Sequence, residues 1–315
     1  MNQNPTLQVQ SVIYGNEPES LYKAISNLAN AIRVEREQRR FLGQVTLYYG
    51  DASPERVLSE AEVEQIRKKY QDLFRFKYRV FGFNSGSAKG HNMLGEECES
   101  DYMLIMNPDV IMSPRTLIEL MYPFLDEEVG MVEARQTPIE HQKEYDVETL
   151  ETDWATTACA VFSKALFDEL NGFDSETFFL YCDDLDFSWR VRLAGYKIIY
   201  QPLAPVFHAK RLSVKASWQP TKAEQYYSAE AALLMAHKWS NPGRVEQLLQ
   251  VYQNSQNENC KKAAAHFIEL RAADKLPEPL DPEQMCIRDR SAIVLWTTNA
   301  CWLTRGIDAM ILPSY

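Results

Sequence analysis

Three carboxylates within four positions form the densest group of chemically active side chains in the sequence. An aromatic and apolar run at 178–181 leads through Cys182 into Asp183, Asp184 and Asp186. Like charges this close repel one another, and burial would raise their pKa values. Such values suit a general base or a metal site. The structural alternative is an acidic first turn of a helix, which the helix dipole favours.

Another carboxylate follows a hydrophobic, strand-like segment. Asp109 ends the tripeptide Asn107-Pro108-Asp109, in which a rigid proline turn can hold the carboxylate within reach of a divalent cation and a diphosphate. Asx-Pro-Asp turns are also common in loops that have no ligand. The context favours a ligand-binding role for the tripeptide, because a helix start and the acidic cluster both follow it.

A histidine follows a short strand-like segment at 205–207. The imidazole of His208 can bind a metal, and the nearby Lys210 and Arg211 can face phosphate oxygens. No second ligand stands near His208 at a recognised metal-binding spacing, so a purely structural role is the alternative.

A glycine-containing segment at 86–90 has the composition of a loop that passes close to a ligand. It lacks the order of a P-loop and that of a dinucleotide-binding turn. Asn84, Lys89 and Asn92 can supply polar groups to a ligand here, and a plain helix start fits equally well.

Alternating strands and helices must position these groups. Apolar periodicity, turn residues and a capping box of Ser59 with Glu62 set the limits of the elements. Strands are predicted at Leu7–Tyr14, Val45–Tyr49, Tyr78–Phe83 and Tyr102–Met106. Helices are predicted from Pro18, from Ser59 to Leu73, from Ser87 to Cys98, and from Ser113-Pro114. This alternation predicts a mostly parallel sheet with helices on both faces and ligands at the carboxyl ends of its strands.

The second half of the chain has a different pattern. Residues 158–200 predict short strand-like pieces around an acidic loop, with Asn171-Gly172 and Gly195 as helix stops. Helices are predicted at Glu224–Trp239 and over Arg244–Leu270. The prolines after residue 276 indicate a linker, and the hexapeptide at 285–290 is similar to translated sequencing-adapter reads. Residues 285–315 are therefore expected to be an artefactual or frame-shifted tail.

Composition excludes several classes of function. A formal net charge of -11 argues against binding to nucleic acid, although cations held by carboxylates still permit nucleotide binding. The six cysteines show no CxxC spacing, and no signal peptide is recognised, which favours a reducing cytoplasm. No apolar run reaches the roughly 20 residues of a membrane span. Any membrane contact is expected to be peripheral, at the inner face.

Together, the order and spacing of these segments resemble the family 2 glycosyltransferases of the GT-A fold, especially the bacterial rhamnosyltransferase-like branch, over about residues 7–240. That family has a DNxS turn, an N-x-G-x-x-x-G-x-N segment, a strand ending in NPD, and an aromatic-rich ED-x-D-x-x-x-R segment. The corresponding segments here are Gly50-Asp51-Ala52-Ser53, Asn84–Asn92, Asn107-Pro108-Asp109, and Asp183-Asp184-Leu185-Asp186 with Arg190.

The resemblance implies an α/β protein of the GT-A type, in which a mostly parallel sheet is flanked by helices. The implied catalytic domain covers 1–220, with a nucleotide-binding half at about 1–130 and an acceptor half at about 131–220. A helical extension at 221–276 and the linker and tail at 277–315 would follow. The implied activity is transfer of a sugar, with inversion, from a nucleotide diphosphate to a hydroxyl of a glycan or lipid-linked glycan. Bacterial surface polysaccharide synthesis, with rhamnosyl transfer as one form, is the implied setting.

Roles follow from the resemblance position by position. Asp184 would be the catalytic base, and Asp109 and His208 would hold Mg²⁺ or Mn²⁺. Donor-binding roles fall to Asp51, Asn84, Lys89, Asn92, Asn107 and Asp109. Acceptor-side or supporting roles fall to Trp154, Asp183, Asp186 and Arg190.

Two positions depart from the family pattern. Gly50 stands where the family usually has the first Asp of the DNxS turn, and Asp183 replaces the commoner Glu. A nucleotidyltransferase that makes nucleotide sugars is an alternative enzyme, but Val12–Ser20 lacks the cations of its usual glycine-rich loop. A non-catalytic sugar-binding relative is a third interpretation, and the intact acidic triplet argues against it.

Overall fold

A computed structural model describes residues 4–39, 41–140, 143–208 and 220–280. Its strands are β1 (Leu7–Ile13), β2 (Val45–Asp51), β3 (Arg75–Val80), β4 (Tyr102–Met106), β5 (Val110–Met112), β6 (Val129–Thr137), β7 (Cys159–Ser163) and β8 (Lys197–His208). Its helices are α1 (Pro18–Gln38), α2 (Glu60–Tyr70), α3 (Gly86–Gly95), α4 (Thr116–Met121), α5 (Lys164–Glu169), α6 (Asp183–Leu193), α7 (Lys222–Lys238), α8 (Pro242–Gln253) and α9 (Glu258–Ala272).

Local sequence signals account for the limits of the first elements. Pro18 occupies the first turn of α1, where its missing N–H leaves no bond unmade. The Ser59 hydroxyl accepts the Glu62 N–H, and the Glu62 carboxylate accepts the Ser59 N–H, so the predicted capping box begins α2. β4 spans Tyr102–Met106, as predicted, because it is an almost wholly buried apolar run.

The strands form one sheet in the order β3-β2-β1-β4-β7-β6-β8-β5. β1 to β4 are parallel, β7 is antiparallel to both β4 and β6, and β8 is parallel to β6. The directions of β4 and β8 therefore agree, so both strands end at the same edge of the sheet. This arrangement confirms the predicted mixed, mostly parallel α/β fold.

Three parts of the predicted pattern were wrong in detail. The third strand lies at Arg75–Val80, three residues before its predicted start, because the chain leaves the sheet at Phe81. The acidic segment is not a loop, because Asp183, Asp184 and Asp186 form the first turn of α6. β6 was not predicted at all. Asn171, Gly172 and Gly195 adopt positive φ angles beyond the ends of α5 and α6, which confirms them as helix stops.

Contact clustering separates the chain into two units, and the first contains the sheet. It comprises Met1–Glu140, Glu144–Ser175 and Asp183–Lys210. Its largest hydrophobic cluster packs α1, α2 and α4 on one face of the sheet, with Leu28 and Leu47 fully buried. A second cluster is built around Phe162, Phe173 and Phe187, whose rings pack at angled geometries typical of aromatic cores.

Among the described residues, the second unit contains Glu176–Cys182 and the helices α7, α8 and α9. A capping box of Thr221 with Glu224 begins α7, which packs against α8 and α9 around the fully buried Trp239. The expected tail at 285–315, as well as Lys210 and Arg211, lies outside the described residues. In the part of the chain that the structure describes, every helix is too short or too polar to span a bilayer.

Candidate functional site

The pairing of β5 with β8 brings two predicted metal ligands together. Asp109 follows β4 and His208 ends β8, and the Asp109 Oδ1 atom lies 3.5 Å from the His208 Nε2 atom. The Asn107 side-chain nitrogen lies 3.4 Å from the same Nε2. Asp109 and His208 are far apart in the sequence, and the antiparallel pairing of β5 with β8, in which Val110 lies opposite His208, makes them neighbours. Each is half-buried, so the pair is open to a ligand.

A network of buried polar side chains holds His208 in place through its Nδ1 atom. Its Nδ1 atom lies 2.9 Å from the Gln136 Oε1 atom. The Gln136 amide donates to the Thr156 hydroxyl at 2.7 Å, and this hydroxyl donates to Glu133 Oε1 at 2.9 Å. Gln136, Thr156 and Glu133 are all buried, which fixes the orientation of the imidazole.

The first turn of α6 holds Asp183 in a strongly buried position. The pKa of Asp183 is raised to about 6, mainly by burial and to a smaller extent by the charge of Asp186. Hydrogen bonds from the Ser87 hydroxyl and from the N–H groups of Asp183 and Asp184 lower it. The second carboxylate oxygen, Oδ2, has no hydrogen-bond partner. Ser87 belongs to α3, so Asp183 touches the glycine-containing segment that the sequence singled out.

Asp186 forms an ion pair within α6. Its fully buried carboxylate lies 2.8 Å from the Arg190 Nε atom at the i,i+4 position. Arg190 also donates to the Leu170 carbonyl at 2.7 Å, which ties α6 to the end of α5. Asp186 and Arg190 are thus brought together in an arrangement that stabilises the helix.

Asp184 is the most accessible member of the triplet. It is half-buried, whereas Asp183 and Asp186 are buried, and its Oδ1 atom accepts the Leu185 N–H at 2.9 Å. Tyr181 and Cys182 precede the helix with φ angles of 67° and 59°. Two consecutive left-handed residues other than glycine are strained, and such strain is found most often at functional sites.

One four-residue segment connects the acidic helix to the Asp109–His208 pair. The N–H and the carbonyl of Ala155 bond to the Ser188 hydroxyl, which also donates to the Asp184 carbonyl at 2.7 Å. Thr156 bonds to Gln136, and the Ala158 carbonyl accepts the Asn107 N–H at 2.9 Å. Residues 155–158 therefore contact α6, the support of His208 and the turn that carries Asp109.

Asp51 lies buried in the turn after β2. Its carboxylate accepts the Ser53 N–H at 3.0 Å, the Val57 N–H at 2.8 Å and the Tyr78 hydroxyl. These contacts give Asp51 a structural role in the turn, and its nucleoside contact stays a prediction. At Gly50, an added Cβ would lie 2.3 Å from a ring carbon of Phe81. The Phe81 ring thus occupies the space that a larger residue at position 50 would need.

The residues of the glycine-containing segment lie around the start of α3. Asn84 and Lys89 are exposed, and the Lys89 ammonium lies 5.5 Å from the centre of the Phe83 ring. Asn92 bonds to both backbone groups of Phe173, at 2.7 and 2.8 Å, so its amide joins α3 to the turn after α5. Trp154 is buried immediately before the connecting segment at 155–158. Donor and acceptor contacts of these four residues stay predictions.

Sequence reasoning missed the polar residues that support the site. Glu133 and Gln136 belong to the unpredicted β6, and Ser87 and Ser188 are common surface types that contact Asp183 and Ala155. A spacing of three between Glu133 and Gln136 places them on opposite faces of a regular strand. The β-bulge between Ala134 and Arg135 changes that relation, and no sequence signal marks it.

The donor set at the end of β4 fits a divalent cation that completes its coordination with a ligand. An imidazole nitrogen and a carboxylate oxygen suit Mn²⁺, and a carboxylate suits Mg²⁺. Among the described residues, no group of three or more His, Cys, Asp or Glu side chains is arranged to hold a metal by itself. Because Mg²⁺ sites commonly combine one or two carboxylates with substrate phosphates and water, two protein ligands are sufficient.

Comparison with known proteins identifies the class of the protein. No family model matches the chain. Over 180 residues it is 26% identical to rhamnosyltransferase WbbL of Escherichia coli (strain K12), covering 47% of this chain and 67% of WbbL. The chain is related to WbbL, and its fold matches that of GT-A transferases.

Two solved structures of glycosyltransferases have the same GT-A fold. One is mannosyltransferase PcManGT of Pyrobaculum calidifontis in complex with GDP-Man and Mn²⁺, with a TM-score of 0.56 and 15% identity over 95% of this chain and 88% of that chain. The other is GalNAc-T7 with UDP, GalNAc and Mn²⁺, with a TM-score of 0.60 and 12% identity over 88% of this chain and 60% of that chain. At these identities the likeness extends to the fold alone.

Proposed function

We propose that this GT-A glycosyltransferase moves a sugar, with inversion, from a nucleotide diphosphate to an acceptor hydroxyl, with a divalent cation held by Asp109 and His208. One observation carries the proposal. The Asp109–His208 pair is joined through residues 155–158 to a strained helix start that bears three carboxylates. Metal ligands and a base are the two groups that this transfer needs on opposite sides of the anomeric carbon.

The cation would supply charge neutralisation of the leaving diphosphate. Asp109 and His208 would hold it, and Asn107 beside them would orient the imidazole or the diphosphate. Donor-binding contacts from Asn84 and Lys89 at the start of α3 would complete this side. The similarity to rhamnosyltransferase WbbL supports rhamnosyl as the sugar. The proposed acceptor is a glycan or lipid-linked glycan of a bacterial surface polysaccharide, which is what the family resemblance of the sequence implies.

Asp184 is the proposed base because its environment differs from those of its neighbours. Asp186 already pairs with Arg190, and Asp183 lies buried against Ser87. The half-buried Asp184 is accessible to an acceptor. Its carboxylate would take the hydroxyl proton while the acceptor oxygen bonds to the anomeric carbon and the bond to the diphosphate breaks. A single displacement of this kind inverts the anomeric centre.

Calorimetric titration of UDP, GDP and TDP, each with and without Mn²⁺ and Mg²⁺, tests the donor side. We expect one nucleotide to bind in a cation-dependent manner, and Asp109→Asn to weaken that binding at least about 10-fold, or about 1.4 kcal/mol. Asp168→Asn is the matched control, because Asp168 is an exposed carboxylate on α5, beyond the opposite edge of the sheet. Unchanged affinity and cation dependence in Asp109→Asn would contradict the proposal.

A further inference from the structure

The support of His208 is a chain of hydrogen bonds that runs from β8 to the middle of β6. It passes from His208 Nδ1 to Gln136 Oε1, from Gln136 Nε2 to the Thr156 hydroxyl, and from that hydroxyl to Glu133 Oε1. The last three residues are 3%, 4% and 0% exposed. Each bond is 2.7–2.9 Å long, which is the range of well-formed hydrogen bonds.

The carboxylate at the end of this chain sets the direction of every bond. A carboxylate only accepts hydrogen bonds, so the Thr156 hydroxyl uses its single proton on Glu133. Thr156 must then accept from Gln136, whose NH₂ group turns towards it. The Gln136 oxygen consequently faces His208, and only an N–H at Nδ1 can satisfy that oxygen. The neutral imidazole then has its lone pair at Nε2.

We propose that Glu133, Thr156 and Gln136 are positioning residues that fix His208 as the Nδ1–H tautomer, with its Nε2 lone pair directed to a cation shared with Asp109. The first part stands on the hydrogen bonds alone, and the cation part rests on the proposed function. Two lone-pair atoms, Nε2 and Asp109 Oδ1, face each other at 3.5 Å, an arrangement that a cation stabilises. In the metal-free protein this lone pair can accept a hydrogen bond from the Asn107 side-chain nitrogen, 3.4 Å from Nε2, which agrees with the Nδ1–H tautomer.

If the hydrogen bonds from Glu133 to His208 ran in the opposite direction, this arrangement would be lost. If Gln136 presented its NH₂ group to Nδ1, the imidazole proton would move to Nε2 and point at Asp109. The two ligands would then satisfy each other, and neither would offer a lone pair to a metal. Support of a metal-binding histidine by a second hydrogen bond typically changes metal affinity by about 10- to 100-fold.

Nitrogen NMR of the metal-free protein tests the tautomer without any assay of activity. The full chain is labelled with ¹⁵N-histidine, and His208 is assigned among the five histidines by comparison with His208→Gln. At about pH 8, where an ordinary imidazole is neutral, we expect the Nδ1–H tautomer in the unsubstituted protein. Glu133→Gln, whose amide can donate to Thr156, and Thr156→Val, which breaks the chain, should both shift the population towards Nε2–H.

Two controls separate this effect from general loss of packing. Thr156→Ser keeps the hydroxyl and should keep the tautomer. Glu35→Gln alters another buried carboxylate, in α1, which accepts the N–H groups of Phe41 and Leu42, and it should leave His208 unchanged. Should Glu133→Gln fail to fold, Thr156→Val carries the same test. The inference is overturned if the unsubstituted protein shows the Nε2–H tautomer, or if Glu133→Gln and Thr156→Val fold and keep the Nδ1–H tautomer.

Mn²⁺ titration followed by electron paramagnetic resonance, with the nucleotide diphosphate present, tests the cation part. We expect the apparent Kd for Mn²⁺ to rise about 10- to 100-fold in Glu133→Gln and Thr156→Val, and to stay constant in the two controls. An unchanged Kd in both Glu133→Gln and Thr156→Val overturns the inference that these residues direct Nε2 to a cation. The NMR results can support the chain of hydrogen bonds while Asp109→Asn and His208→Gln leave Mn²⁺ binding unchanged. In that case the proposed metal site is wrong, and the inferred tautomer of His208 still holds.

Discussion

Substitution of Asp183 by Asn should make the protein more stable at neutral pH. Burial raises the pKa of Asp183 from 3.8 to about 6, so the folded state binds its proton more tightly than the unfolded chain does. The folded protein therefore loses stability as the pH rises from about 4 to about 6. The shift of roughly 2 pKa units corresponds to about 3 kcal/mol at pH 7.

An amide at position 183 removes this charge and can still accept the hydrogen bond from the Ser87 hydroxyl. Its NH₂ group would take the place of the carboxylate oxygen that has no partner, which costs about 1 kcal/mol. The net gain in the free energy of unfolding is therefore about 2 kcal/mol at pH 7. This gain should vanish between about pH 4 and 5, because the folded carboxyl is then protonated and the remaining ionisation penalty no longer exceeds the cost of the amide.

Urea denaturation of both proteins at a series of pH values between about 4 and 8 measures the effect. Asp184→Asn is the matched control, since it makes the same chemical change at the half-buried neighbouring position. The reasoning would be refuted if Asp183→Asn were less stable than the wild type at pH 7. It would also be refuted if the difference in stability did not change with pH.

Three further substitutions separate chemical from structural roles. Asp184→Asn should lower turnover by about 10²- to 10⁴-fold while donor affinity stays the same, and near-normal transfer by this variant would exclude Asp184 as the base. Asp186→Asn should lower the free energy of unfolding by about 3–5 kcal/mol, because it leaves Arg190 without its buried partner; a loss below about 1 kcal/mol would contradict this. Asn92→Ala should cost about 1–3 kcal/mol in thermal or urea unfolding, since both backbone groups of the buried Phe173 lose a partner.

The sequence was most informative where burial and periodicity agree. β4 and the capped start of α2 could be placed because an apolar run and a Ser-to-Glu spacing each have a direct structural cause. Parallel strands necessarily end at one edge, so the neighbourhood of Asp109 followed from the alternation of strands and helices. The meeting of Asp109 with His208 could not be predicted, because it depends on the antiparallel pairing of β5 with β8, two strands that are far apart in the sequence.

The polar interior of the site could not be predicted in the same way. Glu133 and Gln136 look like solvent-facing residues in any reading of charge and hydropathy, and their burial results from tertiary packing of β6 between β7 and β8. The ion pair of Asp186 with Arg190 has the i,i+4 spacing of a helix. It became visible only once the acidic segment proved to be the start of α6 rather than a loop.

Pulsed electron paramagnetic resonance of bound Mn²⁺ tests the central claim most directly, because it detects the atoms that coordinate the metal. The sample contains the full chain, Mn²⁺ and the nucleotide diphosphate that binds in the screen. Our account predicts nitrogen coupling from a directly coordinated imidazole and phosphorus coupling from the diphosphate. The nitrogen coupling should disappear in His208→Gln and persist in the control Asp168→Asn. Mn²⁺ that shows phosphorus coupling without imidazole coupling, or nitrogen coupling that survives in His208→Gln, would contradict the placement of the cation at Asp109 and His208.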